Sequence, residues 1–188
     1  MNEKNRIRKE MKDKLSSLSK PFYEHYSYEI AKTLFKHEDW TEAKVIGITV
    51  SKEPEVDTYQ IIRRAWETGK EVVAPKCDPK EKGLSFHKIT EFSQLESVFY
   101  GLFEPKIEQT IEVKPEDIDL LFVPGLAYTG EGFRLGFGGG YYDRFLTRYD
   151  GKTISLAFHF QVIPQIPTEK HDIPVSKIIT NNEVIHIK

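Results

Sequence analysis

One stretch of the chain, from Pro124 to Arg144, is unusually rich in glycine. Its glycines are Gly125, Gly130, Gly132, Gly136, Gly138, Gly139 and Gly140. Glycine is entropically costly, so such a run is typical of a backbone that bends sharply or approaches another group closely. The stretch follows an apolar segment (119–123) that is typical of a buried strand and leads into a helical pattern over 141–149. It therefore predicts a tight connection from strand to helix.

The end of this stretch has the chemistry of an anion site. Three consecutive glycines precede the predicted helix, where free N–H groups and the helix dipole favour negative charge. Arg134 and Arg144 flank the glycines, and arginine binds phosphate through a two-pronged fork. Neither the Walker pattern nor the Rossmann fingerprint fits the spacing. A phosphate-binding loop and a purely structural glycine turn both remain open.

Apolar patterns along the rest of the chain predict alternating strands and helices. Helices are predicted over 2–18, from Pro21 to about His37, and over 59–68; strands are predicted over 44–50, 71–75, 84–89, 119–123, 153–158 and near the C-terminus. Residues 111–118 are expected to be an acidic connector. This alternation predicts an α/β fold, one domain over residues 1–188, with a central, mostly parallel sheet and helices on both faces.

Composition excludes several classes of protein. The net charge of −2 provides no field that would attract nucleic acid or an anionic membrane. The single Cys77 cannot form an internal disulfide, the start of the chain lacks the pattern of a signal peptide, and the six histidines lack zinc-ligand spacing. We therefore expect a cytoplasmic monomer whose partners are small molecules, with neither nucleic acid nor membrane among them.

The glycine-rich stretch resembles the signature of the 5-formyltetrahydrofolate cyclo-ligase (methenyltetrahydrofolate synthetase) family, in Arg134–Arg144 and Pro124–Tyr128. Shorter similarities lie at 4–8, 54–58, 104–105, 161–162 and 171–172. The resemblance implies a fold similar to that of sugar-phosphate isomerases and coenzyme A transferases. It also implies an ATP- and Mg²⁺-dependent reaction in which 5-formyltetrahydrofolate becomes 5,10-methenyltetrahydrofolate, with release of ADP and phosphate. In that reaction the formyl oxygen is phosphorylated and N10 closes the ring.

The resemblance also implies roles for particular residues. ATP contacts are expected from Lys4, Asn5, Arg6, Ile7, Arg8, Arg134, Leu135, Gly136, Phe137, Gly138, Gly139, Gly140, Tyr141 and Tyr142. Lys4 and Arg134 are expected to act in catalysis, Val50, Glu55 and Tyr141 to contact the folate, and Asp143 and Asp172 to bind Mg²⁺.

Three positions depart from the family pattern, and two other functions remain alternatives. Gly139 lies where many members have lysine among the glycines, and Thr129 and Ser176 lie where aspartate is frequent, so neither is assigned to the metal. Phe103 and Glu104 either contact a ligand or only pack. The alternative functions are a non-catalytic phosphometabolite sensor on the same scaffold and a phosphosugar isomerase.

Overall fold

The protein is built around an eight-stranded sheet, described for residues 2–188 in a computed structural model. The helices are α1 Glu3–Ser17, α2 Lys20–Leu34, α3 Glu38–Glu42, α4 Tyr59–Glu67 and α5 Tyr141–Leu146. The strands are β1 Val45–Gly47, β2 Glu71–Asp78, β3 Gly83–Ile89, β4 Leu95–Ser97, β5 Phe103–Pro105, β6 Ile111–Val113, β7 Leu120–Phe122, β8 Ala127–Tyr128, β9 Arg134–Leu135, β10 Lys152–Ala157, β11 Lys177–Thr180 and β12 Val184–His186. Among these helices none is long and apolar enough to cross a membrane.

The five central strands are parallel, which confirms the predicted fold class. The strand order is β12-β11-β10-β7-β1-β2-β3-β6. Strands β2, β1, β7, β10 and β11 run parallel, whereas β3, β6 and β12 are antiparallel to their neighbours. The short turn after β2 and that after β11 can only produce antiparallel pairs, because a parallel pair needs a longer crossover.

The order of the parallel strands fixes where a ligand can bind. After β1 the chain adds β2 on one side, and then β7, β10 and β11 on the other. The connections therefore diverge between β1 and β7. In open α/β sheets, ligands bind at such a divergence, beyond the carboxyl ends of the strands.

The two faces of the sheet carry separate apolar cores. Val72 and Leu120 face a core formed with α1 to α4, whereas their neighbours Val73 and Leu121 face a core that contains Phe145 of α5. This alternation is the period-two pattern of a strand that is buried on both faces. Helices cover both faces as predicted, four on one and the short α5 on the other.

Several predicted boundaries were wrong. The strand predicted over 44–50 is shorter, β1 Val45–Gly47, and the strand predicted over 71–75 extends to Asp78. The second helix ends at Leu34, and the short α3 follows. Helix α5 ends at Leu146. Tyr149 prolongs the apolar pattern, but it lies beyond the helix, where its hydroxyl is within hydrogen-bond distance of the carbonyls of Ile118 and Lys152. The predicted connector 111–118 contains β6, an edge strand in which Ile111 is 75% exposed, so its apolar residues give no burial pattern.

The N-terminus of α3 should make stability depend on pH through His37. His37 Nδ1 accepts a hydrogen bond from the backbone N–H of Asp39 at 3.2 Å, so the ring must be neutral there. Burial, followed by the nearby charge of Lys177, lowers the pKa of His37 below its ordinary value. The unfolded chain thus binds this proton more readily, so stability is complete above the ordinary histidine pKa and decreases as pH falls through the lowered one. The free energy of unfolding in urea should differ less between pH 5 and pH 7.5 in His37→Asn, which keeps an acceptor at the cap, than in the wild type. An equal difference in the two proteins would contradict the assignment to His37.

Candidate active site

A cleft lies at the point where the strand connections diverge. Its empty space is about 540 Å³, part of it open to solvent. The lining comes from the residues after β1 and after β7, with α1, β10 and the glycine-rich stretch completing the wall. These residues are Leu15, Ile48, Thr49, Ser51, Glu55, Val56, Thr58, Phe122, Val123, Pro124, Gly125, Leu126, Tyr128, Phe137, Leu156 and Gln161. The cleft is mostly apolar with a few polar groups, which is typical of a small-molecule site.

The cleft wall that follows β1 is formed by residues 49–58, a segment whose two ends are joined by hydrogen bonds. The hydroxyl of Thr58 donates to the carbonyl of Thr49 at 2.7 Å and accepts from the N–H of Ser51 at 2.9 Å. The N–H of Thr58 donates in turn to the Ser51 hydroxyl at 2.9 Å. These bonds tie the two ends of the segment together, so the residues between them have a defined position.

Glu55 is the carboxylate of this segment and lines the cleft. Its Oε2 accepts a weak hydrogen bond from the N–H of Lys52 at 3.3 Å. Burial raises the pKa of Glu55, and the bond and charge of Lys52 oppose that shift only in part. A half-buried carboxylate with so little compensation is suited to accept hydrogen bonds from a ligand. Val50 is 1% exposed and packs in the core, and Ile48 and Val56 supply the apolar wall beside Glu55.

The opposite side of the site is the glycine loop, defined here as residues 134–143. It begins in β9, which forms a small hairpin with β8. Gly138 has φ of 112° and Gly140, the N-cap of α5, has φ of 66°. Both values favour glycine. Within residues 2–188, the N–H groups of Gly138, Gly139 and Gly140 donate to no backbone carbonyl, which leaves them available to an anion.

Arg134 is a buried cation beside these glycines. Its side chain is 4% exposed, and one of its terminal nitrogens donates to Asp143 Oδ1 at 2.7 Å. Its Nε has no hydrogen-bond partner within residues 2–188. A buried donor without a partner is costly, so this nitrogen suits a phosphate oxygen. Asp143, in the first turn of α5, holds the guanidinium in place.

Helix α1 joins the glycine loop to the turn that carries Asp172. Arg8 Nε donates to the carbonyl of Gly136 at 2.9 Å. One turn earlier, Lys4 Nζ contacts Glu169 Oε1 at 2.7 Å, and the N–H of Glu169 donates to Asp172 Oδ2 at 2.7 Å. Lys4 and Arg8 lie on one face of the helix because they are four residues apart. The structure thus places Arg8 against the predicted loop and Lys4 one helical turn away, paired with Glu169.

The other residues between Lys4 and Arg8 point elsewhere. Asn5 accepts a hydrogen bond from Arg8 at 2.7 Å and so orients that guanidinium. Arg6 pairs with Glu10 at 2.9 Å on the exposed face, and Ile7 is buried in the core. Direct ATP contacts from Arg6 and Ile7 stay predictions, and Lys4 and Arg8 are the residues that the geometry favours.

The remaining predicted ATP contacts of the glycine loop differ in exposure. Leu135 is buried in β9, whereas Phe137 is 48% exposed and lines the cleft. The ring of Tyr141 lies 5.5 Å from the Arg144 guanidinium. The hydroxyl of Tyr142 lies 2.8 Å from that of Thr49, across the cleft wall. The contacts of these four residues with ligands stay predictions.

The two predicted magnesium ligands each have a protein partner. Asp143 holds Arg134, and Asp172 accepts from the turn at Glu169. In residues 2–188 no three His, Cys, Asp or Glu side chains form a metal-binding cluster. Mg²⁺ commonly takes one or two carboxylates and completes its shell with water and phosphate oxygens. Asp143 lies in the glycine loop and Asp172 in the turn that contains Glu169, the partner of Lys4, so Mg²⁺ binding by these two residues stays a prediction.

Other residues noted in the sequence have structural surroundings. Glu104 is buried near Lys76, 3.7 Å away, while Phe103 is 45% exposed. Burial raises the pKa of the Cys77 thiol to about 12, so it is not a nucleophile. Ser176 bonds Thr153, whereas the Thr129 hydroxyl is buried without a partner within residues 2–188.

No role was predicted for three polar residues of the cleft, although 161–162 is one of the segments similar to the family. Thr49, Ser51 and Gln161 all line the cleft. Gln161 donates to the carbonyl of Leu126 at 3.0 Å and accepts from the N–H of Phe158 at 2.8 Å, which fixes the wall after β7. The signal for Thr49 was its place at the end of an apolar strand, where β1 meets the divergence of the sheet.

Fold and site together define a doubly wound α/β protein with a glycine loop at the edge of a cleft. Comparison with known proteins narrows this class. The model of the 5-formyltetrahydrofolate cyclo-ligase family matches residues 1–181. The chain is 30% identical to a probable 5-formyltetrahydrofolate cyclo-ligase of Caenorhabditis elegans, over 97% of this chain and 94% of that protein. It is 29% identical to the mouse 5-formyltetrahydrofolate cyclo-ligase, over 92% and 91% of the two chains.

The fold of the chain also matches that of a solved structure. The NMR structure of Aquifex aeolicus 5,10-methenyltetrahydrofolate synthetase matches with a TM-score of 0.87 and 31% identity, over 98% of this chain and 93% of that one. The chain belongs to the 5-formyltetrahydrofolate cyclo-ligase family. The predicted family, fold and enzyme class are confirmed, and the comparisons give no support to a phosphometabolite sensor.

Two glycines allow a test of the loop with a matched control. Gly138→Ala places a side chain at φ of 112°, so we expect the loop to distort and the KM for ATP to rise about tenfold, the effect of about 1–2 kcal/mol. Gly130→Ala meets no heavy atom within 4 Å at an ordinary φ and should leave the KM unchanged. Equal ATP kinetics in the two variants would contradict the assignment of the loop to phosphate binding.

Proposed function

We propose that this protein uses ATP to convert 5-formyltetrahydrofolate into 5,10-methenyltetrahydrofolate within the cleft between β1 and β7. The observation that carries the proposal is that the cleft has a hydrogen-bond acceptor at one end and cations with free N–H groups at the other. A half-buried carboxylate with little compensation, Glu55, lies in one wall, and the glycine loop, which contains the buried Arg134, borders the cleft through Phe137. A substrate rich in N–H groups and a phosphate donor would each find a complementary end.

The folate end is the braced segment 49–58. A pterin ring carries an amino group and ring N–H groups. A carboxylate such as Glu55 can accept hydrogen bonds from both at once. Ile48 and Val56 provide the apolar surface against which a flat ring can lie. The folate contacts implied for Tyr141 and Val50 by the family resemblance stay predictions, and Val50 packs in the core beside this segment.

The phosphate end combines three kinds of donor. Gly138, Gly139 and Gly140 offer backbone N–H groups, and Arg134 offers its free Nε. Lys4 and Arg8 add two cations from α1. Fixed donors of this kind stabilise charge that develops during phosphoryl transfer, because they are oriented before the reaction begins.

The reaction itself needs positioning more than an enzyme nucleophile. The formyl carbon is a poor electrophile because the nitrogen lone pair delocalises into its carbonyl. Transfer of the γ-phosphoryl group to the formyl oxygen makes that oxygen a leaving group. N10 of the folate then attacks the carbon and loses its proton to solvent, the five-membered ring closes, and phosphate leaves with the former formyl oxygen. Holding the two substrates in line accounts for much of such a rate gain.

Asp143 and Asp172 would hold Mg²⁺, which supplies charge neutralisation at the phosphates. Asp143→Asn should raise the Mg²⁺ concentration for half-maximal rate about tenfold, since the amide lacks the charge that a hard cation prefers. The matched control is Asp150→Asn, at an exposed position just beyond α5. A wild-type magnesium dependence in Asp143→Asn would remove Asp143 from the metal site.

We also propose that the protein works in the cytoplasm as a monomer. The proposal rests on its single cysteine and its composition. Sedimentation at assay concentration tests the monomer, and a stable dimer would contradict it.

The function is tested by the absorbance of the methenyl product. Purified protein with 5-formyltetrahydrofolate and Mg²⁺ should form product only when ATP is added, with one ADP released for each turnover. Folded protein that forms no product with ATP, or forms it equally well without ATP, would overturn the proposal.

A further inference from the structure

The folate segment and the glycine loop are joined by a pair of hydroxyl groups. Thr49 Oγ1 and Tyr142 Oη are 2.8 Å apart. Within residues 2–188 this is the only hydrogen bond that a side chain makes between the 49–58 segment and the glycine loop. The two substrate ends otherwise belong to separate strands and separate connections.

Thr49 and Tyr142 each make further contacts that fix their positions. The carbonyl of Thr49 accepts from the Thr58 hydroxyl at 2.7 Å, which connects Thr49 to the brace around Glu55. The Tyr142 ring meets Phe86 edge-on at 6.4 Å, and the Arg134 guanidinium lies 6.0 Å from that ring. Tyr142 also immediately precedes Asp143, the partner of Arg134. A shift of either hydroxyl would therefore move the residues that hold one of the two substrates.

We propose that the Thr49–Tyr142 hydroxyl pair is a positioning device that fixes the distance between the folate end and the phosphate end of the cleft. This inference rests on the proposed function, because it concerns how the two substrates of that reaction are aligned. The formyl oxygen is carried by the molecule bound at 49–58, and the γ-phosphorus by the molecule bound at 134–143. The pair is placed to set the approach of these two atoms.

The chemistry of the pair suits a fixed spacer. Both groups are uncharged hydroxyls, so the bond between them does not depend on a charge at either residue. A hydroxyl can donate and accept, which allows the bond to persist when a substrate arrives beside it. Thr49 is also stiff about its side-chain torsion because it is β-branched.

Three variants test the proposal in the full-length protein. Thr49→Val keeps the shape and removes the hydroxyl, Tyr142→Phe removes the other hydroxyl, and the double variant removes both. We expect each single variant to lower kcat about tenfold with little change in the KM for either substrate, since misplacement impairs the reaction rather than binding. The double variant should be no slower than the slower single one, because the two groups act as a unit.

Two further variants separate positioning from stability. Thr49→Ser restores a hydroxyl and should recover most of kcat. Thr68→Val removes a hydroxyl at the end of α4, remote from the cleft, and should leave kcat unchanged. The melting temperature of every variant is measured beside its kinetics.

The outcomes are distinct. A lower melting temperature with wild-type kcat, a rise in the folate KM alone, or multiplicative losses in the double variant would each overturn the positioning role while the wild-type enzyme remains active. A wild-type protein without ATP-dependent turnover would overturn the proposed function, and this inference with it.

Discussion

Replacing Arg134 with alanine is expected to lower kcat/KM for ATP on the order of 10³-fold, because catalytic arginines at phosphoryl groups contribute about 10³- to 10⁵-fold. The structure gives the physical reason. The guanidinium is buried, held by Asp143, and has an Nε without a protein partner within residues 2–188. Steady-state kinetics with ATP varied at saturating folate measures the effect.

Two further arginine variants make the result specific. Arg134→Lys keeps a charge but loses the fork, and should recover only part of the activity. Arg148→Gln is the matched control: its guanidinium donates to the carbonyl of Leu84 at 2.8 Å, on the other side of α5. If Arg134→Ala folds and retains wild-type ATP kinetics, or if Arg148→Gln loses as much, Arg134 does not act on the phosphates.

Glu55→Gln is expected to raise the KM for 5-formyltetrahydrofolate about 10- to 100-fold, the range of a hydrogen bond to a charged group. The free protein should unfold at the same or a higher temperature at neutral pH. Because its pKa is raised by burial, folded Glu55 holds its proton more tightly than the unfolded chain does, so its stabilising contribution is lost as pH rises through the folded-state pKa. Glutamine avoids that cost. The folate KM and thermal unfolding are measured together.

The same segment offers a control for Glu55. Glu53 is exposed and pairs with Lys20 at 2.9 Å, away from the cleft. Glu53→Gln should leave the folate KM unchanged. A similar rise in both variants, or a folate KM unaffected by Glu55→Gln, would contradict the placement of the pterin beside Glu55.

The fold could be predicted because its central strands are buried on both faces. Segments such as 44–50 and 153–158 are rich in apolar and β-branched residues, and they contain most of β1 and β10 in the parallel part of the sheet. Edge elements could not be predicted as well. The strand β6 includes the exposed Ile111, and the short α3 depends on a histidine cap and a single buried tryptophan, Trp40. Neither leaves a periodic pattern in the sequence.

The site could be predicted where chemistry is local and not where it depends on tertiary contacts. The glycines before α5 and the Lys4–Arg8 spacing are visible in the sequence, and the structure brings them together through Arg8 and Gly136. The pairing of Arg134 with Asp143 was not visible, because each residue alone had an independent role. Thr49 was missed for the same reason, since its partner Tyr142 lies 93 positions away.

The most direct test of the account is a crystal structure of the protein with ADP, Mg²⁺ and 5-formyltetrahydrofolate. We expect the diphosphate of ADP to lie within hydrogen-bond distance of the N–H groups of residues 138–140 and of Arg134, with the pterin against Glu55. A nucleotide bound elsewhere, or a glycine loop without phosphate at saturating ligand, would contradict it.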